Sequence, residues 1–182
     1  HLTYDFQVSE RDIFFPTLPK ALDGFRIAHL SDIHVGGEMD WPKLSTVAAL
    51  TNAAKPDIVL HTGDFLTHRT GEYDRPLYKA LAILEAPFGQ WACLGNHDFD
   101  APDRLVPRLG RAGVHTLRNK IVTILVDGEP LEIAGLDFLF QRFARENLYD
   151  QIMRPWNHNE NTPRLLLNHD PRAFGDLPIH AA

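Results

Sequence analysis

Residues 90–98 join a short apolar run to a polar turn, reading Gln90-Trp91-Ala92-Cys93-Leu94 and then Gly95-Asn96-His97-Asp98. The run has the length of a buried strand, and the turn carries side chains that can bind a metal ion or move a proton. In an open α/β sheet, the residues just past the strand ends line the crevice where ligands bind. This stretch therefore predicts a strand that delivers functional groups to one edge of a sheet.

The same arrangement recurs three times elsewhere in the chain. The runs at 25–30, 57–61 and 164–167 lead into the turns Ser31-Asp32-Ile33-His34, Thr62-Gly63-Asp64 and Asn168-His169-Asp170. Because such turns lie at the same edge of a sheet, they bring Asp, His and Asn side chains together from distant parts of the sequence. The repeated pattern predicts an assembled site rather than four separate turns.

Segments with helical spacing separate the first three runs. We predict helices at about 41–54, 75–84 and 102–112, where apolar residues recur at intervals of three and four. Strands that alternate with helices favour a parallel sheet with helical crossovers.

The pattern changes after residue 113. Residues 114–117, 121–126 and 131–136 have the length of short strands, and a turn at 127–130 joins the last two in a hairpin. This section predicts a second sheet packed on the first, followed by a helix over 138–153. A polar loop is expected at 157–162.

Composition limits the classes of protein to consider. A chain of 182 residues fits one domain, and its formal charge of −6 argues against nucleic acid as the main partner. Cys93 is the only cysteine, which excludes an internal disulfide and a thiolate zinc cluster. No apolar stretch approaches the ~20 residues that span a bilayer.

The first two turns have weak signals when each is considered alone. Asp32 and His34 are two residues apart. In an extended segment their side chains therefore point to the same side and can bind one ion. The alternative is a capping aspartate with a surface histidine. Asp64 follows Gly63, and a glycine at this position allows close backbone approach. Asp64 itself could bridge two ions, but it could also be a helix N-cap.

The other two turns have more specific chemistry. Asn96 can offer its carbonyl oxygen to a metal, and His97 can act as a general acid or as a ligand. Asp98 can hold the imidazole in the required tautomer. His169 is a further histidine at a strand end. The alternatives are a polar turn leading into a helix for residues 95–98 and a structural histidine for His169.

Together these side chains indicate a mixed oxygen and nitrogen metal site. Such ligands favour Mn²⁺, Fe or Zn²⁺ over Ca²⁺ alone or a thiolate site. The set also suits two ions ~3.5–4 Å apart, a spacing that clamps the attacking and leaving oxygens of a phosphoryl group.

In this order the residues resemble the calcineurin-like metallophosphoesterase superfamily. Its pattern runs Asp-x-His, Gly-Asp, Gly-Asn-His-Asp or Glu, a later His, and finally Gly-His-x-His. The first four blocks match at Asp32 and His34, Gly63 and Asp64, residues 95–98, and His169. The segments 30–34, 117–119 and 135–137 are most similar to a bacterial branch of membrane-associated phosphodiesterases, some of which act on nucleotide-linked lipid precursors.

The resemblance implies an α/β fold, a two-sheet sandwich flanked by helices (αββα), and hydrolysis of a phosphate ester, in particular a phosphodiester. It implies a dinuclear metal centre with a metal-bridging hydroxide as nucleophile. Asp32 and His34 would bind one ion, Asn96 and His169 the other, and Asp64 would bridge both. His97 would contact the phosphate or protonate the leaving oxygen, and Asp98 would orient His97.

One departure from the family pattern is that this sequence does not contain the closing Gly-His-x-His block. We therefore expect a single domain over 1–182 that lacks its C-terminal part, either as a fragment or as a chain completed by a second chain. His180 stands alone and is a poor substitute for that block. With no signal-peptide pattern, we expect a location in the cytoplasm or at the periphery of the inner membrane.

Two other functions fit part of the pattern. A phosphoesterase fold kept as a non-catalytic binding or scaffold protein would explain the missing block, and a single-metal hydrolase of another class would use some of the same ligands. We expect His29 and His61 to be packed within apolar strands and hydrogen-bonded. Arg142 and Arg145 are expected on a solvated helix face.

Overall fold

The computed structural model describes residues 6–36, 39–67, 74–154 and 162–177. The expected 157–162 loop and His180 lie outside these ranges, apart from Thr162. The strands are β1 Ile27–Leu30, β2 Ile58–His61, β3 Gln90–Ala92, β4 Val114–Thr116, β5 Lys120–Val126, β6 Glu129–Gly135 and β7 Arg164–Leu167. The helices are α1 Trp41–Ala53, α2 Arg75–Ala82, α3 Pro102–Arg111 and α4 Arg142–Met153.

The strands form two sheets. The first has the order β1-β2-β3-β4 with every pair parallel, and the second has the order β5-β6-β7. In the second sheet β5 pairs antiparallel with β6, as the hairpin turn predicted, and β6 pairs parallel with β7. The parallel sheet with helical crossovers and the second sheet are both confirmed.

Two strands differ from the sequence prediction. We expected the 114–117 strand in the antiparallel section, but β4 extends the parallel sheet because Val114 to Thr116 pair with β3. We expected a buried first strand, yet β1 lies at the edge of the sheet as described, and Ile27 is 41% exposed. Position in the sheet, which local hydrophobicity does not encode, decides both differences.

Apolar contacts hold three layers together. One buried cluster lies between the helices and the first sheet, including Leu77, Leu94 and Leu109. Another joins the facing sides of the two sheets, including Leu60, Cys93 and Ile133. β2 is buried along its whole length because helices cover one face of the sheet and the second sheet covers the other. The fold is therefore an α/β two-sheet sandwich with helices, as predicted.

The chain geometry places the polar turns at one edge. Parallel strands β1, β2 and β3 end on the same side of the first sheet, and the turn after each faces the end of β7 in the second sheet. No helix in the described ranges combines the length and apolar character needed to cross a bilayer.

Candidate metal centre

Backbone hydrogen bonds lock the first two turns together. The amide of Asp32 donates to the carbonyl of Gly63 at 3.0 Å, and the amide of His34 donates to the carbonyl of Asp64 at 3.0 Å. The parallel pairing of β1 and β2 thus continues past the strand ends. These backbone hydrogen bonds hold the two turns, which carry candidate ligands, in register without the help of a metal ion.

Three site residues have unusual backbone conformations. Asp32, His34 and Asp64 have φ values of 52°, 50° and 54°, in the left-handed region that residues other than glycine rarely adopt. Each such residue costs free energy that the surrounding structure must offset. Their concentration at one edge of the sheet is typical of a functional site.

The β2 and β3 turns approach so closely that both need glycine. A Cβ added at Gly63, whose φ is +92°, would lie 2.1 Å from the Gly95 nitrogen. A Cβ added at Gly95 would lie 2.1 Å from Asp64 Oδ1. No side chain fits at either position, so these two glycines set the distance between Asp64 and the turn at 95–98.

Asp98 ties these turns together from below. Its buried carboxylate accepts backbone N–H groups from Asp64 at 2.8 Å, Phe65 at 2.9 Å and Gly95 at 2.9 Å. Burial raises the pKa of Asp98 to about 6, and the hydrogen bond from the Gly95 amide opposes this rise. The carboxylate therefore orients the backbone around Asp64, which differs from the expectation that it orients the His97 ring.

The Asp64 carboxylate lies at the centre of the site, and its side chain is only 4% exposed. Oδ1 accepts the backbone N–H of His97 at 3.0 Å. Oδ2 lies 3.4 Å from His34 Nε2 and 3.4 Å from His169 Nε2. One oxygen atom thus faces two imidazoles that come from different sheets.

The tautomer of His169 follows from its other nitrogen. Nδ1 lies 2.8 Å from the carbonyl oxygen of Thr62, which can only accept, so Nδ1 carries the proton. In the neutral ring Nε2 then presents a lone pair toward Asp64 Oδ2 and toward Asn96 Oδ1, 3.1 Å away. Three electron-rich atoms converge there, an arrangement that a cation stabilises.

His97 and Asp32 complete the assembled residues. The His97 ring lies edge-on to the His34 ring with centroids 5.0 Å apart, and its Nδ1 donates to the Thr67 carbonyl at 3.1 Å. Asp32 Oδ1 lies 3.8 Å from His34 Nε2, and its side chain is 57% exposed. Asp32 is therefore the ligand candidate that faces solvent.

The donor set fits divalent metal ions. Two groups have ligand atoms within 4.8 Å of one another, namely His34 with Asp64 and His97, and Asp32 with Asp64 and His169. Metal–ligand bonds of about 2.1 Å place neighbouring ligand atoms about 3.0–3.4 Å apart, which matches the separations around Asp64 Oδ2. Imidazole with carboxylate suits Zn²⁺, Mn²⁺ and Fe.

Sequence reasoning missed the groups that orient the histidines. The Thr62 and Thr67 carbonyls fix the His169 and His97 rings, and a backbone carbonyl leaves no signal in the residue type. Arg145 was expected on a solvated face, but it is 9% exposed and lies 3.7 Å from the carboxylate of Asp170, next to His169. Its helical position alone did not show that α4 turns this side chain inward.

The other two histidines differ from each other. His61 is buried and donates from Nε2 to Gln90 Oε1 at 3.1 Å, as expected of a packed histidine. His29 lies 2.8 Å from the hydroxyl of Thr62 but is exposed, because β1 is an edge strand.

A second polar network joins the ends of β4 and β6. Arg118 Nε donates to both Asp137 oxygens at 2.9 and 2.8 Å, and Asn119 Nδ2 donates to Asp137 Oδ2 at 3.1 Å. Gly135 packs so closely on the residue that follows β4 that an added Cβ would lie 2.4 Å from the Leu117 Cβ. The segments 117–119 and 135–137 are thus neighbours that connect the two sheets beside the site.

Fold and site together define a class of proteins, in which an α/β two-sheet sandwich carries a mixed carboxylate, amide and imidazole centre at the strand ends. Residues 25–180 match the calcineurin-like phosphoesterase family, and the chain belongs to that family.

Individual proteins show how far the similarity extends. The chain is 35% identical over 137 residues to the uncharacterized metallophosphoesterase YkuE of Bacillus subtilis, covering 73% of this chain and 48% of that protein. It is 39% identical over 85 residues to the UDP-2,3-diacylglucosamine pyrophosphatase LpxG of Chlamydia trachomatis, covering 45% of this chain and 26% of that protein. The matched region thus spans less than half the length of either relative.

A solved structure shares the fold at low sequence identity. The phosphopantetheinyl hydrolase PptH of Mycobacterium tuberculosis superposes with a TM-score of 0.55 at 15% identity, covering 80% of this chain and 68% of that chain.

Proposed function

We propose that this chain provides the metal centre of a hydrolase that cleaves a phosphate ester, in particular a phosphodiester, with two divalent ions. The observation that carries the proposal is the position of Asp64 Oδ2, 3.4 Å from the Nε2 atoms of both His34 and His169. A single buried oxygen between two imidazoles is suited to bridging two ions. Membership of the calcineurin-like phosphoesterase family supports the same activity.

The proposed ligands divide between the two ions. Asp32 and His34 would hold one ion, Asn96 and His169 would hold the other, and Asp64 would contribute to both sites. When bound, the ions supply Lewis-acid polarisation of the phosphoryl group and lower the pKa of a water molecule. The chain itself fixes the ligands before substrate arrives, through the paired turns and the two close-packed glycines.

His97 is the proposed catalytic side chain. Because its Nδ1–H is held by the Thr67 carbonyl, the ring is fixed and Nε2 is left to contact the phosphate or to carry a proton to the leaving oxygen. Asp98 is a positioning residue, since it holds the backbone of Asp64 and Gly95 and thereby the start of the turn that carries His97.

An apolar platform beside the site supports a lipid-linked substrate. Phe140 and Phe143 are 81% and 78% exposed. The Phe140 ring contacts Phe138 edge-on at 4.7 Å, and Phe138 lies 6.3 Å from His169 between ring centroids. The buried Phe138 ring thus connects the exposed Phe140 ring to His169, and exposed aromatic side chains suit an acyl chain or a membrane surface. We therefore propose a phosphate-ester or lipid-linked substrate and a location in the cytoplasm or at the periphery of the inner membrane.

The exposed edge of β1 supports pairing with another strand. Within the described ranges β1 bonds only to β2, and Ile27 is 41% exposed on it. An unpaired edge is a template for strand addition. A strand from a second chain that completes the sheet would fit there.

Hydrolysis of bis(p-nitrophenyl) phosphate tests the proposed activity. We expect turnover with added Mn²⁺, its loss in EDTA, and a kcat at least about 100-fold lower for His97→Ala. His115→Ala is the matched control, because His115 is an exposed histidine stacked on Trp91, and it should keep full activity. A wild-type chain that is inert with Mn²⁺, Fe²⁺ and Zn²⁺, or full activity in His97→Ala, would refute the proposal.

A further inference from the structure

A groove of about 540 Å³ lies between α2 and α3, apart from the metal centre. Its walls carry three arginines, Arg75 from α2 and Arg108 and Arg111 from α3. The aromatic ring of Tyr78 and the methyl groups of Ala82 and Ala112 form apolar parts of the lining. Its volume lies within the roughly 300–1,000 Å³ of typical small-molecule sites.

Among the described residues that line the groove, the single carboxylate is Asp74, and it is already engaged. Asp74 is 3% exposed and forms an ion pair with Arg108, and the Tyr78 hydroxyl donates to Asp74 Oδ2 at 3.3 Å. Burial, reinforced by the Asp74 charge, raises the pKa of Tyr78 to about 12, so the phenol keeps its proton. Asp74 therefore neutralises Arg108 and holds the groove wall in place.

The other two arginines keep their charge available. Among the residues that the structure describes, Arg75 and Arg111 form no ion pair or side-chain hydrogen bond, and both are exposed. The groove therefore carries two uncompensated positive charges in a chain whose formal charge is −6. A local excess of positive charge attracts anions. Solubility does not require these two arginines, because the net negative charge of the chain already supports it.

We propose that the α2–α3 groove binds a phosphate-bearing anion. Guanidinium groups match phosphate oxygens with paired N–H donors, and two of them on different helices suit an anion with several oxygens and more than one charge. The Arg108 guanidinium lies over the Tyr78 ring, 5.9 Å from its centre, so these two side chains form one wall of the groove. This site is distinct from the metal centre, and the inference does not depend on the proposed hydrolysis.

Binding of inorganic pyrophosphate to the 182-residue chain in excess EDTA tests this site, because EDTA removes metal-dependent binding elsewhere. By isothermal titration calorimetry we expect saturable binding that weakens with added KCl. The double variant Arg75→Ala/Arg111→Ala should bind at least about tenfold more weakly. Arg104→Ala is the matched control, an exposed arginine of α3 outside the groove, and it should bind like the wild type.

The outcomes separate two sources of the phosphate and decide the proposal. Sedimentation with phosphatidic acid vesicles, compared with phosphatidylcholine vesicles, distinguishes a lipid headgroup from a free phosphate compound. Binding to either probe that falls in the double variant and not in Arg104→Ala supports the groove. Absence of binding to both probes, or an equal loss in Arg104→Ala, overturns it, provided that thermal unfolding shows all variants folded.

Discussion

At the scale of single residues, Asp98 stabilises the candidate metal centre although it is not one of the proposed metal ligands. Its carboxylate accepts backbone N–H groups on both sides of the gap between the β2 and β3 turns. In Asp98→Asn one oxygen becomes an amide that faces these donors. We expect the free energy of unfolding to fall by about 3 kcal/mol and activity to fall with it.

Urea unfolding measures this effect of Asp98. Asp100→Asn, on the same short helix but exposed, should change stability by less than about 0.5 kcal/mol. Equal stability of the two variants would show that the Asp98 hydrogen bonds contribute little.

His61 should make stability depend on pH. Burial lowers its pKa to about 4, while the unfolded residue takes up a proton near 6.5. Between these values the unfolded chain binds more protons, so the free energy of unfolding decreases as the pH falls from about 6.5 to about 4. From pH 7 to 4.5 this group should account for about 2–3 kcal/mol.

The comparison uses unfolding by urea at pH 7 and pH 4.5 in EDTA. His61→Leu removes the titrating group. Between pH 7 and pH 4.5 the free energy of unfolding of this variant should therefore fall by about 2–3 kcal/mol less than that of the wild type. His115→Leu, at an exposed position, should lose as much stability as the wild type. An unchanged acid loss in His61→Leu would contradict the assignment.

At this scale the sequence indicated which candidate ligands the structure brings together, because ligand chemistry depends on residue type. The positions of Asp32, His34, Asp64, Asn96 and His169 along the chain were sufficient to place them at strand ends. The sequence did not predict the orientation of these side chains. Asp98 contacts backbone amides rather than the His97 ring, and a carbonyl of Thr67 contacts that ring instead. Such contacts depend on how closely two turns approach.

At the scale of secondary-structure elements, Arg118 joins β4 to β6 through Asp137. Burial raises the pKa of Asp137, and the hydrogen bond from Arg118 opposes the rise. Arg118→Ala leaves the carboxylate, whose side chain is 6% exposed, with the Asn119 amide as its remaining side-chain donor in the described structure. We expect a loss of about 2 kcal/mol in the free energy of unfolding, measured in urea.

Arg142→Ala is the control for Arg118→Ala. Arg142 pairs with Glu146 one turn away on α4, and its side chain is 74% exposed. Arg142→Ala should cost about 0.5 kcal/mol or less, since exposed pairs of this kind contribute little. If Arg118→Ala costs no more than Arg142→Ala, the Arg118–Asp137 ion pair contributes little to holding the two sheets together.

The elements themselves were predictable where periodicity is strong. The three crossover helices and the β5–β6 hairpin lie close to their predicted positions. α4 begins at Arg142 rather than near residue 138, because Asp137 and Phe138 face the junction of the two sheets. The edge position of β1 and the pairing of β4 with β3 depend on contacts between distant segments.

At the scale of the whole molecule, two sheets meet so that candidate ligands from both face Asp64. His34 follows β1 of the first sheet, and His169, which is 135 positions later in the sequence, follows β7 of the second. The residue types predicted a shared site, but the distances around one oxygen follow only from the packed sheets. The site is therefore a product of the complete sandwich rather than of one motif.

Metal titration of the EDTA-treated chain tests the central claim most directly. Isothermal titration with Mn²⁺ or Zn²⁺ should show two ions bound per chain, and Asp64→Asn should weaken the binding of both because Asp64 belongs to both proposed ion sites. Asp100→Asn should bind as the wild type does. A wild-type chain that binds no ion, or an Asp64→Asn variant that keeps even one site at full affinity, would contradict a dinuclear centre bridged by Asp64.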